Sequence, residues 1–563
     1  MKVLLLQLNP LVGDLAGNSE KIIASYQQAN EEGVDLILTP ELSLWGYPPR
    51  DLLFDTHRLK EQKEILNYMA DKIRIDAPDC SLIVGIAEQS LDRLLPNLFN
   101  SLVLVANGKW EIVARKQLLP TYDVFDEKRY FRPFSHSSTI NIKTLKRNWK
   151  LGLTICEDLW VEENLQGQRL QGANPIEQLK ESKVDILINL SASPFSQSKK
   201  SLRQNLAAKA STNLKCPVIY LNQVGGNDEL VFDGASFVMN SSSKVVYSLP
   251  SYKETIGVWD TSRQTQSKLS HANNQEYIFR ALVLGVKDYC AKCGFNSALL
   301  GLSGGIDSAL VATIATAALG SRNITSILMP SPWSSSGSID DALALSKRLA
   351  IQTKTIPINT LMDCYDSTLA IPLGERLKAL ASENLQSRIR GTILMAIANQ
   401  NNHLLLSTGN KSELAMGYCT LYGDMNGGLS VIGDLYKTSV FKVCEWLDSN
   451  ESANARKKLG LFAKGELIGE IIRTKPPSAE LRPDQLDTDS LPPYEILDPI
   501  LKGLIEERQS QDKLIKKGYD KDLIQKIQSL LKKSEFKRRQ APPLLKISNQ
   551  AFGSGWRVPI ASK

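Results

Sequence analysis

The chain has 563 residues, 42% of them hydrophobic and 23% charged, and its 67 basic against 60 acidic side chains leave a formal charge of +7. That length calls for two or three domains, and the composition excludes the polar, strongly charged make-up of a disordered chain. The small positive excess suits phosphate-bearing small molecules as well as nucleic acid. Eight cysteines without the dense spacing of a disulfide framework fit a reducing, cytoplasmic compartment where a thiol stays free.

The opening run Met1 to Leu8 is too short for a signal peptide, and no stretch approaches the roughly 20 apolar residues of a membrane span. It reads as a first buried strand. Short apolar runs recur at 34–39, 82–87, 101–106, 151–155, 184–190 and 217–221, with helix-compatible stretches at 18–32 and 59–75. The pattern predicts an α/β domain over 1–255 with a mixed or parallel sheet. Residues 256–275 lose apolar periodicity and gain small polar residues, as a linker does, which leaves 276–563 as a second domain.

Three motifs of the first domain stand at predicted strand ends. Thr39-Pro40-Glu41-Leu42 closes one strand, Arg115-Lys116-Gln117-Leu118-Leu119-Pro120 closes another, and strand 151–155 runs into Cys156-Glu157-Asp158. A carboxylate, an amine and a thiol can therefore meet at one sheet edge, where active sites of α/β proteins commonly form. Each alone reads as structural. Together, in this order, they resemble the Glu-Lys-Cys triad of the nitrilase superfamily. The resemblance implies an αββα sandwich in which Cys156 attacks a carboxamide carbon, Glu41 moves the proton and Lys116 stabilises the oxyanion. It also implies that Tyr122, Glu127, Ser193 and Lys199 hold glutamine. A Cys-His route is disfavoured by supply, because none of the four histidines lies in a segment resembling a catalytic-base motif.

The second domain opens with a helix pattern at 275–291, a strand at 298–302, a Gly-rich turn, a helix through 319 and a strand at 324–329, a βαβ unit. In Gly301-Leu302-Ser303-Gly304-Gly305-Ile306-Asp307-Ser308 the glycines permit close backbone approach, and the helix start beyond them favours an anion. The turn lacks the Gly-Lys-Ser/Thr ending of the Walker loop and is no G-x-G-x-x-G. Its Ser-Gly-Gly-x-Asp-Ser pattern resembles the loop of ATP pyrophosphatases, which split ATP into AMP and pyrophosphate. The resemblance implies ATP held by residues 301–308, with Asp307 able to hold Mg²⁺. Farther on, Glu383 to Arg390, Ser407 to Glu413, Gly423-Asp424 and Tyr436-Lys437-Thr438 resemble the synthetase domain of NAD synthetases. By position Thr408 would contact ATP, Glu413 would meet Mg²⁺ or the dinucleotide, and Asn384 and Lys537 would bind deamido-NAD. Lys537 reads equally as a cationic helix end in solvent, because the tail 500–540 is Lys-rich, helical in period and broken near Gly518.

From Glu41 to Lys537 the chain resembles the glutamine-dependent NAD synthetases. That implies an α/β protein with an N-terminal nitrilase-like sandwich and a C-terminal doubly wound parallel-sheet domain, with glutamine, ATP and deamido-NAD as substrates, and a homo-oligomer. A GMP synthetase-like enzyme would carry a Cys-His-Glu glutaminase instead, and a non-catalytic binding protein would show a missing triad member or a broken loop. Cys290 and Cys293 have C-x-x-C spacing without a second pair at finger-like distance and read as structural. The basic run Lys532-Lys533 to Lys537-Arg538-Arg539 lacks the aromatic interleaving of a nucleic-acid surface, so neither nucleic acid nor membrane is an expected partner.

Overall fold

A computed structural model describes residues 1–92, 94–263 and 273–562. The chain divides into two compact units, Met1–His271 and Ala272–Lys563. Among the described residues no helix is long and apolar enough to cross a membrane.

The first unit contains two six-stranded mixed sheets. One has the order β14-β1-β2-β3-β4-β5, with β1 Lys2–Gln7, β2 Leu36–Leu38, β3 Ser81–Gln89, β4 Leu98–Ala106, β5 Lys109–Arg115 and β14 Thr255–Asp260. The other has the order β13-β12-β9-β8-β7-β6, with β6 Ser138–Lys143, β7 Asn148–Ile155, β8 Ile186–Ser191, β9 Val218–Asn222, β12 Phe237–Met239 and β13 Val245–Ser248. A hairpin of β10 Val224–Asn227 and β11 Leu230–Asp233 stands apart.

Strand alternation explains the layering, because successive side chains point to opposite faces and both faces here are covered. Val3 and Leu5 of β1 join Leu36, Leu38 and Ile83 against Leu151, Leu153, Ile186 and Ile188 of the second sheet. Leu4 and Leu6 turn the other way and pack with Ile22, Leu66 and Met69 of the helices Leu15–Ile23 and Thr56–Asp76. On the far side Leu187, Val218 and Tyr220 meet Ile176, Leu206 and Ala210 of the helices Pro175–Lys180 and Lys199–Leu214. The result is the αββα sandwich that the triad resemblance implies.

The second unit is built on an all-parallel sheet of order β17-β16-β15-β18-β19. Its strands are β15 Ala298–Gly301, β16 Ile324–Leu328, β17 Gln352–Thr355, β18 Leu404–Ser407 and β19 Leu429–Ser430. The order reverses beside β15, the switch point where doubly wound sheets open a crevice at their carboxyl ends. The phosphate-type loop follows β15 and the Thr408 segment follows the adjacent β18. Sheet order alone therefore brings together two motifs that lie about a hundred residues apart in sequence.

Two expectations need correction. The segment 256–275 begins inside β14, which pairs antiparallel with β1 from Lys2↔Asp260 to Gln7↔Thr255, and the helix Asn274–Lys292 takes its last two positions. Residues 264–272 of it lie outside the described residues. The Lys-rich tail is not merely a solvated face. Its helices Tyr494–Ile505, Gln511–Lys516 and Lys521–Lys533 bury Leu497, Ile500, Leu501, Leu514, Ile524 and Ile527 in a core of their own with Leu414 and Phe552. The lysines occupy the outer face, as amphipathic helices require.

Candidate active sites

In the first unit three strand ends deliver three reactive side chains. Glu41 follows β2, and this turn packs tightly on β3, where a Cβ at Gly85 would stand 2.3 Å from Leu42 N and 2.6 Å from Pro40 O. Lys116 follows β5, its amide donating to Asn100 O of β4 at 2.8 Å. Cys156 follows β7 with φ 46°, a left-handed conformation that a non-glycine residue holds only under constraint. Asp158 supplies part of that constraint, since its carboxylate accepts from Ile155 N at 3.1 Å, Gln117 N at 3.0 Å and Leu118 N at 2.9 Å. It thereby ties the cysteine turn to the lysine strand end.

The three groups lie in one buried charge network. Lys116 Nζ donates to Glu41 Oε1 at 2.6 Å and to Glu127 Oε1 at 2.8 Å. Glu41 also accepts from Asn100 Nδ2 at 2.8 Å and, on its other oxygen, from Ala192 N at 2.9 Å. Tyr47 OH donates to Glu127 at 2.7 Å. Burial opposes the lysine charge, but Glu127 and Glu41 outweigh it and hold the ammonium well above its ordinary range. Burial pushes the Cys156 thiol well up, Glu41 adds to this, and Lys116 opposes it. The resting group is therefore a thiol, and its attack needs a base. Glu127 is pushed up to about 7, chiefly by burial.

The other residues expected around glutamine are placed as follows. Tyr122 OH donates to Glu157 Oε1 at 3.0 Å. The Lys199 ammonium lies 5.5 Å from the Phe125 ring centroid and 5.6 Å from that of Trp160. Ser193 is buried and held by Asn222, and its carbonyl accepts from Arg203 Nη2 at 2.7 Å. Sequence reasoning gave no role to Glu157, although it follows the nucleophile directly. Its carboxyl is buried and pushed up to about 7 by that burial, against the pull of Lys116 and Lys199.

This raised value sets a pH dependence. Unfolded chains ionise Glu157 near the ordinary glutamate value of 4.5, while the folded chain keeps the proton until about 7. Stability therefore falls as pH rises through that window. Glu157→Gln escapes the penalty, and without glutamine its unfolding free energy gains on the parent's from pH 5 to pH 8, by on the order of 2 kcal/mol. Denaturant unfolding at several pH values reads this, and parallel curves would refute it.

In the second unit a cavity of about 750 Å³ opens over the switch point. It is lined by Gly301, Leu302, Ser303, Gly305, Ile306, Asp307 and Ser308, by Thr408 and Glu413, and by Asn384 and Lys537. Gly304 does not line it. With φ +80° and a would-be Cβ 2.1 Å from Ser338 O, this glycine lets the loop lie against the next helix, Ser336–Leu349. The helix Ile306–Leu319 starts in the cavity without a side-chain cap, so its first amides are open to an anion. Asn384 accepts from Thr420 Oγ1 at 2.9 Å. Lys537 is not simply in solvent, because its ammonium donates to the carbonyls of Gly417 at 2.8 Å and Cys419 at 2.7 Å.

Asp307 and Glu413 meet across Lys437, whose ammonium lies 2.5 Å from Asp307 Oδ2 and 3.6 Å from Glu413 Oε1. Glu413 also closes a capping box with Asn410, whose amide Nδ2 reaches Asp307 Oδ1 at 3.1 Å. Burial and then Asp307 push the Glu413 carboxyl up to about 8, against the pull of Lys437. The pair is thus short of positive charge, and its hard oxygen donors fit a small divalent cation. Among the described residues no group of three or more His, Cys, Asp or Glu is arranged to hold a metal ion. A cation here would keep water or substrate oxygens in its remaining positions, as Mg²⁺ does. Lys437 was quoted in a motif without a role, and only the tertiary contact reveals its place.

Two family descriptions match the chain, carbon-nitrogen hydrolase over residues 2–268 and NAD synthase over residues 278–541. The chain is 49% identical to a glutamine-dependent NAD(+) synthetase of Synechocystis sp., over 99% of this chain and 98% of the relative. It is 38% identical to one of Thermotoga maritima, over 100% and 99%. The solved structure of glutamine-dependent NAD+ synthetase from Acinetobacter baumannii in complex with ADP superposes with a TM-score of 0.76 at 34% identity, covering 99% of this chain and 98% of that one.

Proposed function

The chain belongs to the glutamine-dependent NAD(+) synthetase family, and from that premise we propose how its two sites divide the reaction. The enzyme amidates deamido-NAD to NAD with ATP and with ammonia from glutamine. The observation that carries the division is the presence, in one chain, of a buried Glu41–Lys116 pair beside Cys156 and of a separate cavity lined by the 301–308 loop.

In the first unit Glu41 takes the Cys156 proton as sulfur attacks the carboxamide carbon of glutamine. Lys116, held charged by its two carboxylates, faces the oxyanion. Glu41 returns the proton to the departing ammonia and then activates the water that cleaves the thioester, releasing glutamate. Glu127 fixes Lys116. Tyr122, Ser193, Lys199 and the buried Glu157 orient the amino acid, whose α-ammonium group would supply the positive charge that burial leaves Glu157 short of and so favour its ionised form.

In the second unit the 301–308 loop and the open amides of the helix at Ile306 hold the pyrophosphate portion of ATP, with Thr408 on the neighbouring strand end. Asn384, Glu413 and Lys537 meet deamido-NAD. Asp307 and Glu413 would hold Mg²⁺, which when bound neutralises phosphate charge. The nicotinate carboxylate attacks the α-phosphorus, pyrophosphate leaves, and ammonia displaces AMP from the acyl adenylate. The eight free cysteines support a cytoplasmic setting. The outward Ile371 and Leu373 of the helix Asn359–Leu373 support a homo-oligomer. Incubation with deamido-NAD, ATP, Mg²⁺ and glutamine is expected to yield NAD, AMP, pyrophosphate and glutamate in equal amounts. ADP and phosphate in place of AMP and pyrophosphate would overturn the adenylate route.

A further inference from the structure

The helix Leu380–Asn401 turns Glu383, Asn384, Ser387, Arg390, Gly391 and Leu394 into the cavity, at the three- and four-residue spacing of one helical face. Both ends of this stripe are placed by contacts. Asn384 and Ser387 hold the segment at Thr420 and Asp424, Ser387 Oγ accepting from Asp424 N at 3.0 Å. Leu394 lies over the mouth of the phosphate loop, 3.4 Å from where a Cβ on Gly301 would stand. Arg390 falls between, so it stands between the part of the cavity assigned to deamido-NAD and the part assigned to the ATP phosphates. Gly391 lets the helix come this close, since a Cβ there would meet Gly423 O at 2.9 Å.

The Arg390 guanidinium is anchored at one corner. Its Nε donates to Met329 O, just past β16, at 3.1 Å. Among the described residues it forms no ion pair, and Nη1 and Nη2 have no protein acceptor. Burial pulls its pKa down, and Glu480 and Asp424 act only from a distance to hold it up. Fixed arginines with two open N–H groups match phosphoryl oxygens in geometry as well as charge.

We propose that Arg390 is a catalytic residue of the adenylation step, donating Nη1 and Nη2 to the non-bridging oxygens of the α-phosphate of ATP. The proposal rests on the function given above. As the nicotinate oxygen forms its bond to the α-phosphorus, the bond from that phosphorus to the bridging oxygen of pyrophosphate breaks, and pyrophosphate leaves with the electron pair. No proton is exchanged. The charge gathered on the equatorial oxygens in the transition state lies against the guanidinium, whose position is already set by Met329 and needs no reorganisation.

Exchange of labelled pyrophosphate into ATP, dependent on deamido-NAD and without ammonia or glutamine, reads adenylation alone. Arg390→Met is expected to lower this exchange at least about 10²-fold with the KM for deamido-NAD changed less than about threefold, and Arg390→Lys is expected to recover part of the loss. Exchange at the parent rate, or an unchanged rate at saturation with a raised KM for deamido-NAD, would overturn the proposal in favour of an idle or a dinucleotide-binding arginine. Labelling of Cys156 by a chloroketone analogue of glutamine, at the parent rate, reports that the first unit of each variant is folded, and the far-UV spectrum reports on the rest. If the parent itself shows no exchange dependent on deamido-NAD, the adenylate chemistry fails as a whole, a result distinct from failure of Arg390 alone.

Discussion

Cys156→Ala is expected to abolish glutamine-driven NAD formation, by about 10⁴-fold or more, while ammonium-driven formation stays within about twofold of the parent. The thiol is the only group at the end of β7 that can form the thioester. Glu41 and Lys116 contact each other at 2.6 Å without the sulfur taking part. Removing the nucleophile therefore strands the remaining machinery without damaging it. Alanine leaves no unpaired polar atom in the buried turn, so the fold tolerates the change better than a charged or larger side chain. Parallel initial rates with glutamine and with ammonium chloride decide the matter. Equal loss with both nitrogen sources would mean that Cys156 serves the synthetase reaction too, and retention with glutamine would remove it from the nucleophile role.

Asp307→Asn is expected to lower NAD formation by about 10³-fold with either nitrogen source, a loss of several kcal/mol of transition-state stabilisation. The side chain keeps its shape but gives up the charge that, with Glu413, would hold the cation. Lys437 then keeps Glu413 at 3.6 Å, with Asp487 acting from farther off. The push of Asp307 on Glu413 disappears as well, so the Glu413 carboxyl drops below its present value of about 8 and the buried cluster loses a like-charge conflict. The expected defect is therefore in rate and metal dependence, not in folding. Titration with Mg²⁺ at saturating ATP and deamido-NAD tests this. A variant with parental rate and parental Mg²⁺ dependence would show that the cation is held elsewhere.

Much of both sites was legible because their chemistry is written locally. The apolar runs at 2–8, 82–87, 101–106, 151–155 and 217–221 all became strands, since near-continuous apolar stretches are what sheets buried on two faces require. The strand Ser138–Lys143 escaped notice because only Ile140 and Ile142 of it are buried and polar residues alternate with them, and Val245–Ser248 because it is four residues long and partly exposed throughout. Strand β14 was taken as connection because its partner β1 lies at the other end of the unit, from Lys2↔Asp260 to Gln7↔Thr255, and nothing within Thr255–Asp260 announces that pairing. The tail was read as solvated because its lysines dominate the composition, while three buried apolar positions in Lys521–Lys533 suffice to dock it.

The sequence by itself determined which reactive groups stand at strand ends and which turn can receive an anion, because these follow from residue type at fixed short offsets. Cys156 at the end of β7 and Gly304-Gly305 before a helix are features of that kind. Only the tertiary structure decided which groups face one another. Lys116 meets Glu41 across 75 positions and Lys437 meets Asp307 across 130. Such pairs depend on strand order at the switch point and on which sheet edges adjoin, and no local pattern encodes them. The charge state of each site is decided at the same level, because burial and the neighbours that oppose it exist only once the chain has closed around them.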